Sequence, residues 1–190
     1  MSHPSCALIA ASMLRPAAAL LCAGLLLAGC GGAPSGRLAS PEMGYLHLGP
    51  LFLPTRTLEI DRGNVDGGPL ADAAYLWAQD RLQPAAGGTG IARFVLKRAE
   101  IRERPYGGPT GRDEGMVTRA LRYQAQIEAE VQFLSDQNAP RGVAVGRGGG
   151  VVLLAEDANP AEQERALDRL ISQAIAGMND EFERALARRR

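Results

Sequence analysis

The chain has 190 residues, with 21 Lys and Arg against 21 Asp and Glu. A balanced charge lacks the basic excess by which proteins hold nucleic acid, so no nucleic-acid partner is expected. Its length suits one modest domain rather than several, and three cysteines are too few for a disulfide scaffold.

The first elements in the chain concern export. The opening residues carry no acid and only His3 and Arg15 as basic candidates, with Met13 offering a second start. From Pro16 to Gly29 runs an apolar segment of Ala, Leu, Cys and Gly. It is shorter than the about 20 residues needed to span a bilayer, and it matches the core of a secretory signal. It ends in Leu27-Ala28-Gly29-Cys30, which resembles the lipobox of bacterial lipoproteins. The resemblance implies that residues 1–29 are removed as a signal peptide and that Cys30, bearing lipid, becomes the N-terminus. A plain secreted protein or an uncleaved anchor is the alternative. Cys6 and Cys22 belong to the leading segment, which leaves Cys30 as the only cysteine downstream.

Residues 30–50 hold glycines 31, 32, 36, 44 and 49 and prolines 34, 41 and 50, with no apolar period. That composition predicts a flexible tether, and residues 51–190 are expected to form a single domain. Leu51–Asp61 is expected to be the first strand, with Pro50 and Pro54 placing it at an edge. Pro69 then opens a helix over 70–83, because Leu70, Ala73, Ala74, Trp77, Ala78 and Leu82 recur at helical spacing. A strand over 91–104 and a loop over Gly107–Gly115 follow.

The clearest signal lies in Leu121–Phe133. Apolar Leu121, Tyr123, Ala125, Ile127, Ala129, Val131 and Phe133 alternate there with Arg, Gln and Glu. A strict period of two means a strand with one buried and one wet face. Val143–Ala155 reads as another strand, interrupted by a bulge or flattened loop at Gly146-Arg147-Gly148-Gly149-Gly150. Asn159-Pro160-Ala161-Glu162 has the form of a capping box. It should start a helix to about residue 187, with Leu167, Leu170, Ile171, Ala174, Ile175, Met178, Phe182 and Leu186 on one face. The order β-α-β-β-β-α predicts an α+β two-layer sandwich, its mostly antiparallel sheet carrying both helices on one face.

Residues suited to catalysis are scarce. Past the signal there is one histidine, His47, and it lies in the tether. Neither a His-based nucleophile relay nor a His/Cys metal site has its parts. Glu128 and Glu130 share a strand face, and the solvated-face reading is preferred to a carboxylate pair. Lys97 lacks a phosphate-binding loop around it, and Gly146-x-Gly148-x-Gly150 precedes a strand rather than a helix. Trp77 is expected in the core, and Arg188-Arg189-Arg190 as a solvated helix end. No enzyme activity, cofactor or metal is expected.

Leu27–Cys30, Thr55–Ile60, Tyr75-Leu76-Trp77-Ala78 through Leu82, Leu121–Phe133 and Asn159–Leu186 together resemble auxiliary lipoproteins of ABC-type envelope transport systems. The Gly-rich insertion after Gly87–Arg104 departs from that pattern. The resemblance implies a periplasmic, membrane-anchored protein that binds envelope transport proteins and works in lipid trafficking. Gly31 stands where an Asp would mark retention in the inner membrane, so the outer membrane is favoured. An assembly lipoprotein of the lipopolysaccharide-translocon type shares the two-layer build. A cell-wall hydrolase working with carboxylates alone is the enzyme alternative.

Overall fold

In a computed structural model of the chain, residues 44–107 and 120–188 are described. Residues 1–29, expected to be a signal segment, with Leu27, Ala28 and Gly29, and Cys30 lie outside the described residues, as do most residues of 107–115, expected to be a loop.

Alternation of apolar and polar side chains builds the main sheet. Strand β4 (Ile91–Tyr106) buries Ala92, Phe94 and Leu96, and β5 (Ala120–Leu134) buries Ala125, Ile127, Ala129, Val131 and Phe133. Intervening residues face the other way, so the sheet has one dry and one wet side. With β2 (Thr57–Asp61) and β6 (Pro140–Ala155) it forms a four-stranded sheet in the order β2-β4-β5-β6. β2 runs parallel to β4, and the other neighbours are antiparallel. Helices α1 (Pro69–Arg81) and α2 (Pro160–Ala187) cover the dry face. The chain is thus an α+β two-layer sandwich.

Both helices start as their sequences dictate. Pro69 opens α1, where a missing N–H costs nothing. The full capping box starts α2: Asn159 Oδ1 accepts from the Glu162 N–H at 3.0 Å, and Glu162 Oε2 accepts from the Asn159 N–H at 3.0 Å. Between the helices, Trp77 stacks on Phe182 with centroids 5.1 Å apart and meets Phe94 at 6.1 Å. Asn179, 2 % exposed, ties the pair together. Its Oδ1 accepts from Trp77 Nε1 and Arg81 Nε, each at 3.1 Å, while Arg81 is also ion-paired with Glu183. The buried guanidinium is tolerated because it is both hydrogen-bonded to Asn179 and ion-paired with Glu183.

Four of the secondary-structure expectations need correction. Leu51–Asp61 is not one strand. It breaks at Pro54 into β1 (Leu51–Leu53) and β2, which belong to different sheets. Thr55, 3 % exposed, turns the corner, its N–H bonded to Leu53 O at 2.7 Å. Second, α1 stops at Arg81, and Leu82–Pro84 form β3, which pairs parallel with β1. That pairing satisfies backbone groups that a longer helix would have used. Third, β4 continues past Arg104 to Tyr106, with a bulge between Leu96 and Arg98. Lys97 is the extra residue, and the inward series passes from Leu96 to Ala99 and Ile101.

The fourth correction concerns the glycine run. β6 passes through Gly146–Gly150 without a bulge, Gly146 pairing Ala129 and Gly150 pairing Ala125. The irregularity lies instead at Phe133/Leu134. Gly146, Gly148 and Gly150 point alternately inward and form a groove in which α2 rests. A Cβ on Gly148 would meet Ala174 O, and would stand 2.7 Å from Met178 N. On the helix side Gly177 continues the close approach, a Cβ there standing 3.3 Å from the Gly148 Cα. The glycines therefore allow a helix and a strand to pack backbone against backbone.

The described end of the 30–50 segment includes Tyr45, which is 3 % exposed and part of the core. The packed body begins there rather than at Leu51. Burial, then the Asp80 carboxylate, push the Tyr45 phenol up to about 12. A phenol whose pKa is raised on folding stabilises the fold fully below its unfolded value of about 10. That contribution is lost as the pH rises through the folded value. Chemical denaturation between pH 9 and 12 should show a loss of stability that is smaller in Tyr45→Phe.

Candidate binding face

The side of the sheet away from the helices is the candidate site, because no described element covers it. Its residues fall in two zones, fixed by strand. Over β2, β4 and β5 it is charged, and most charges are matched. Arg93 Nε lies 2.9 Å from Glu59 Oε2, and Arg102 lies 2.7 Å from Glu100. Glu128 pairs with Arg147 of β6 at 3.2 Å, and that hydrogen bond chiefly holds its carboxyl below the ordinary range. Glu130 accepts from Gln132 Nε2 at 3.2 Å. Glu128 and Glu130 therefore do not act on each other. Each is engaged by a different neighbour on a solvated face.

One pair breaks the matching. Register sets Arg104 directly opposite Arg122, and both are exposed on the wet face. Neither has an acidic partner among the described residues. Like charges placed opposite each other across strands are destabilising. The next strand places Leu153 opposite Arg122. Leu153 is 53 % exposed, and Val151 and Tyr106, near it at the same end of the sheet, are 44 % exposed each. Cationic and apolar surface thus meet at the far end of the strands.

The second zone is β6 itself. Its outward residues are Val143, Val145, Arg147, Gly149, Val151, Leu153 and Ala155, so this face is apolar apart from one arginine. This zone was not legible in the sequence. The run Val151-Val152-Leu153-Leu154 is apolar at every position, so no alternation identifies which residues are wet. The Arg104–Arg122 pairing was equally hidden, since it depends on the bulge at Lys97 and on the hairpin register.

Other residues singled out by sequence lie elsewhere. Trp77 is fully buried, as expected of a core residue. His47 sits exposed in a turn before β1, and Arg188 is exposed at the end of α2. Among the described residues no three His, Cys, Asp or Glu side chains come together as a metal site, and no helix is long and apolar enough to cross a membrane.

No protein-family model matches the chain, and no curated protein matches it. Among solved structures it is similar to a minor lipoprotein from Acinetobacter baumannii. That match has 9 % identity and a TM-score of 0.41, over 70 % of this chain and 90 % of the other. It is also similar to an uncharacterized lipoprotein B from Nitrosomonas europaea, with 14 % identity and a TM-score of 0.34, over 71 % and 82 % of the two chains. Likeness at this level carries no argument about activity.

Proposed function

We propose that the chain is a lipoprotein, anchored through Cys30 on the periplasmic side of a membrane, and a non-catalytic binding or assembly component of an envelope lipid-transport system. The sequence order of apolar segment, Leu27-Ala28-Gly29 and Cys30 supports the anchor. Gly31 favours the outer membrane. The binding role rests on the Arg104–Arg122 pair beside Tyr106, Val151 and Leu153. Two adjacent guanidinium groups suit a phosphate or carboxylate headgroup, and the apolar side chains suit the acyl chain attached to it.

A second reading, an assembly lipoprotein of the lipopolysaccharide-translocon type, draws support from the rest of the face. The matched charges over β2, β4 and β5 make a polar surface suited to the polar interior of a membrane barrel. A cell-wall hydrolase finds no such support.

The test has three parts. Cys30→Ser should abolish labelling by a fatty-acid analogue and leave uncleaved precursor. Arg104→Ala and Arg122→Ala should each weaken binding to vesicles containing anionic phospholipid by about fivefold, since a basic residue near such a surface contributes about 1 kcal/mol. Crosslinking in intact cells should recover transporter or substrate-binding subunits, whereas recovery of an outer-membrane barrel supports the second reading. Unchanged labelling, unchanged vesicle binding, or hydrolysis of cell wall by the purified protein would overturn the proposal.

A further inference from the structure

The outer edge of the sheet has a separate property. β6 stands last in the order β2-β4-β5-β6 and is 16 residues long. In an antiparallel pair, alternate residues bond to the neighbouring strand while those between direct their N–H and C=O groups away from it. The Arg147 N–H is one of the latter, because it donates to Glu181 Oε2 of α2 at 2.8 Å. By the same alternation the backbone groups of Gly149, Val151 and Leu153 point to the outer edge. No strand among the described residues pairs with them. Exposed edges are ordinarily blunted by lysine, proline, inward-pointing charge or a bulge. From Gly148 to Ala155 β6 has none of these, and its register with β5 is unbroken.

We propose that this edge pairs antiparallel with the same edge of a second copy of the chain, about a two-fold axis at Val151. Two observations select this occupant and this register. The first is where the edge ends: Glu181 holds the Arg147 N–H and the Ala158 N–H occupies Ala155 O at 3.1 Å, so a new ladder runs from Gly149 to Leu153, a segment symmetric about Val151. The second is shape. The register sets Leu153, the most exposed large apolar side chain of the strand at 53 %, opposite Gly149 of the other copy, which has no side chain.

The contact is self-complementary, so it closes at two copies instead of growing into a fibre. It joins two four-stranded sheets into one and leaves both open faces accessible. The proposal does not depend on the lipid-transport reading.

The full chain carrying Val151→Cys tests the geometry. Residues opposite each other in a bonded antiparallel pair have Cα atoms about 5.5 Å apart, within the range a disulfide spans. Val151→Cys should give a disulfide-linked dimer on a non-reducing gel, while Gln124→Cys, on the same face of β5, should not. Charge tests the interface without touching the β5 ladder. Sedimentation of the full chain in detergent should show a dimer that Val151→Lys or Val151→Glu weakens by about tenfold or more, like charges being opposed. An equimolar mixture of the two variants should restore it. A wild-type chain that stays monomeric, failure of the mixture to associate, or capture of another protein by the introduced thiol in place of a second copy would overturn the proposal.

Discussion

Gly148→Val should prevent α2 from seating on the sheet and should give the largest loss of stability of any single substitution considered. The added Cβ would overlap Ala174 O and approach Met178 N at 2.7 Å. Both are backbone atoms in the middle of a 28-residue helix, so no rotamer change relieves the clash. Overpacking in an adaptable core costs about 1–3 kcal/mol. Here the helix itself must move off the sheet, taking Phe182 and Met178 with it, and a loss above about 3 kcal/mol is expected. Thermal or urea unfolding of Gly148→Val and Gly148→Ala measures this. Gly67→Ala, where a Cβ meets nothing within 4 Å, should leave the midpoint almost unchanged. Equal stability of Gly148→Ala and wild type would mean that helix and sheet do not touch through the glycine groove.

Ile127→Glu should be nearly as damaging, by a different route. Ile127 is 2 % exposed and sits in the centre of β5, paired with Ala99 on one side and Gly148 on the other. A carboxylate there has no partner, and burying an unpaired charge costs on the order of several kcal/mol. Burial would raise the pKa of the introduced carboxyl. Its destabilising effect should therefore be greatest at neutral pH and shrink on acidification, as the group takes up a proton. Gln126→Glu, one residue away on the wet face, should change stability by less than about 0.5 kcal/mol. Comparable midpoints for the two variants at pH 7 would show that the strand faces are assigned the wrong way round.

Local patterns were legible in the sequence, and pairings between distant segments were not. The strand at Leu121–Phe133 and the capping box at Asn159–Glu162 were readable because each is a local pattern whose physical cause lies within a few residues. The break at Pro54 was only half readable. The proline announced an interruption, but the pairing of Leu51–Leu53 with Leu82–Pro84 joins segments far apart in the chain. The glycine run was not legible, because its composition favours a bulge or a loop, and only the helix lying across Gly146, Gly148 and Gly150 shows why small residues stand there. The candidate site was the least legible part. Arg104 and Arg122 carry no common motif, and they meet because the hairpin register opposes them.

By itself, then, the sequence determined the fold class, both helix starts, the inward face of β5 and the core position of Trp77, all of which follow from local periodicity and capping. The expectation of lipidation at Cys30 also belongs to the sequence alone, since Cys30 lies outside the described residues. Only the tertiary structure decided how α2 meets β6, which side chains of β6 face outward, and where arginines without an acidic partner among the described residues gather beside apolar side chains. Those outcomes depend on register and on contacts between distant segments, and no window of neighbouring residues contains them.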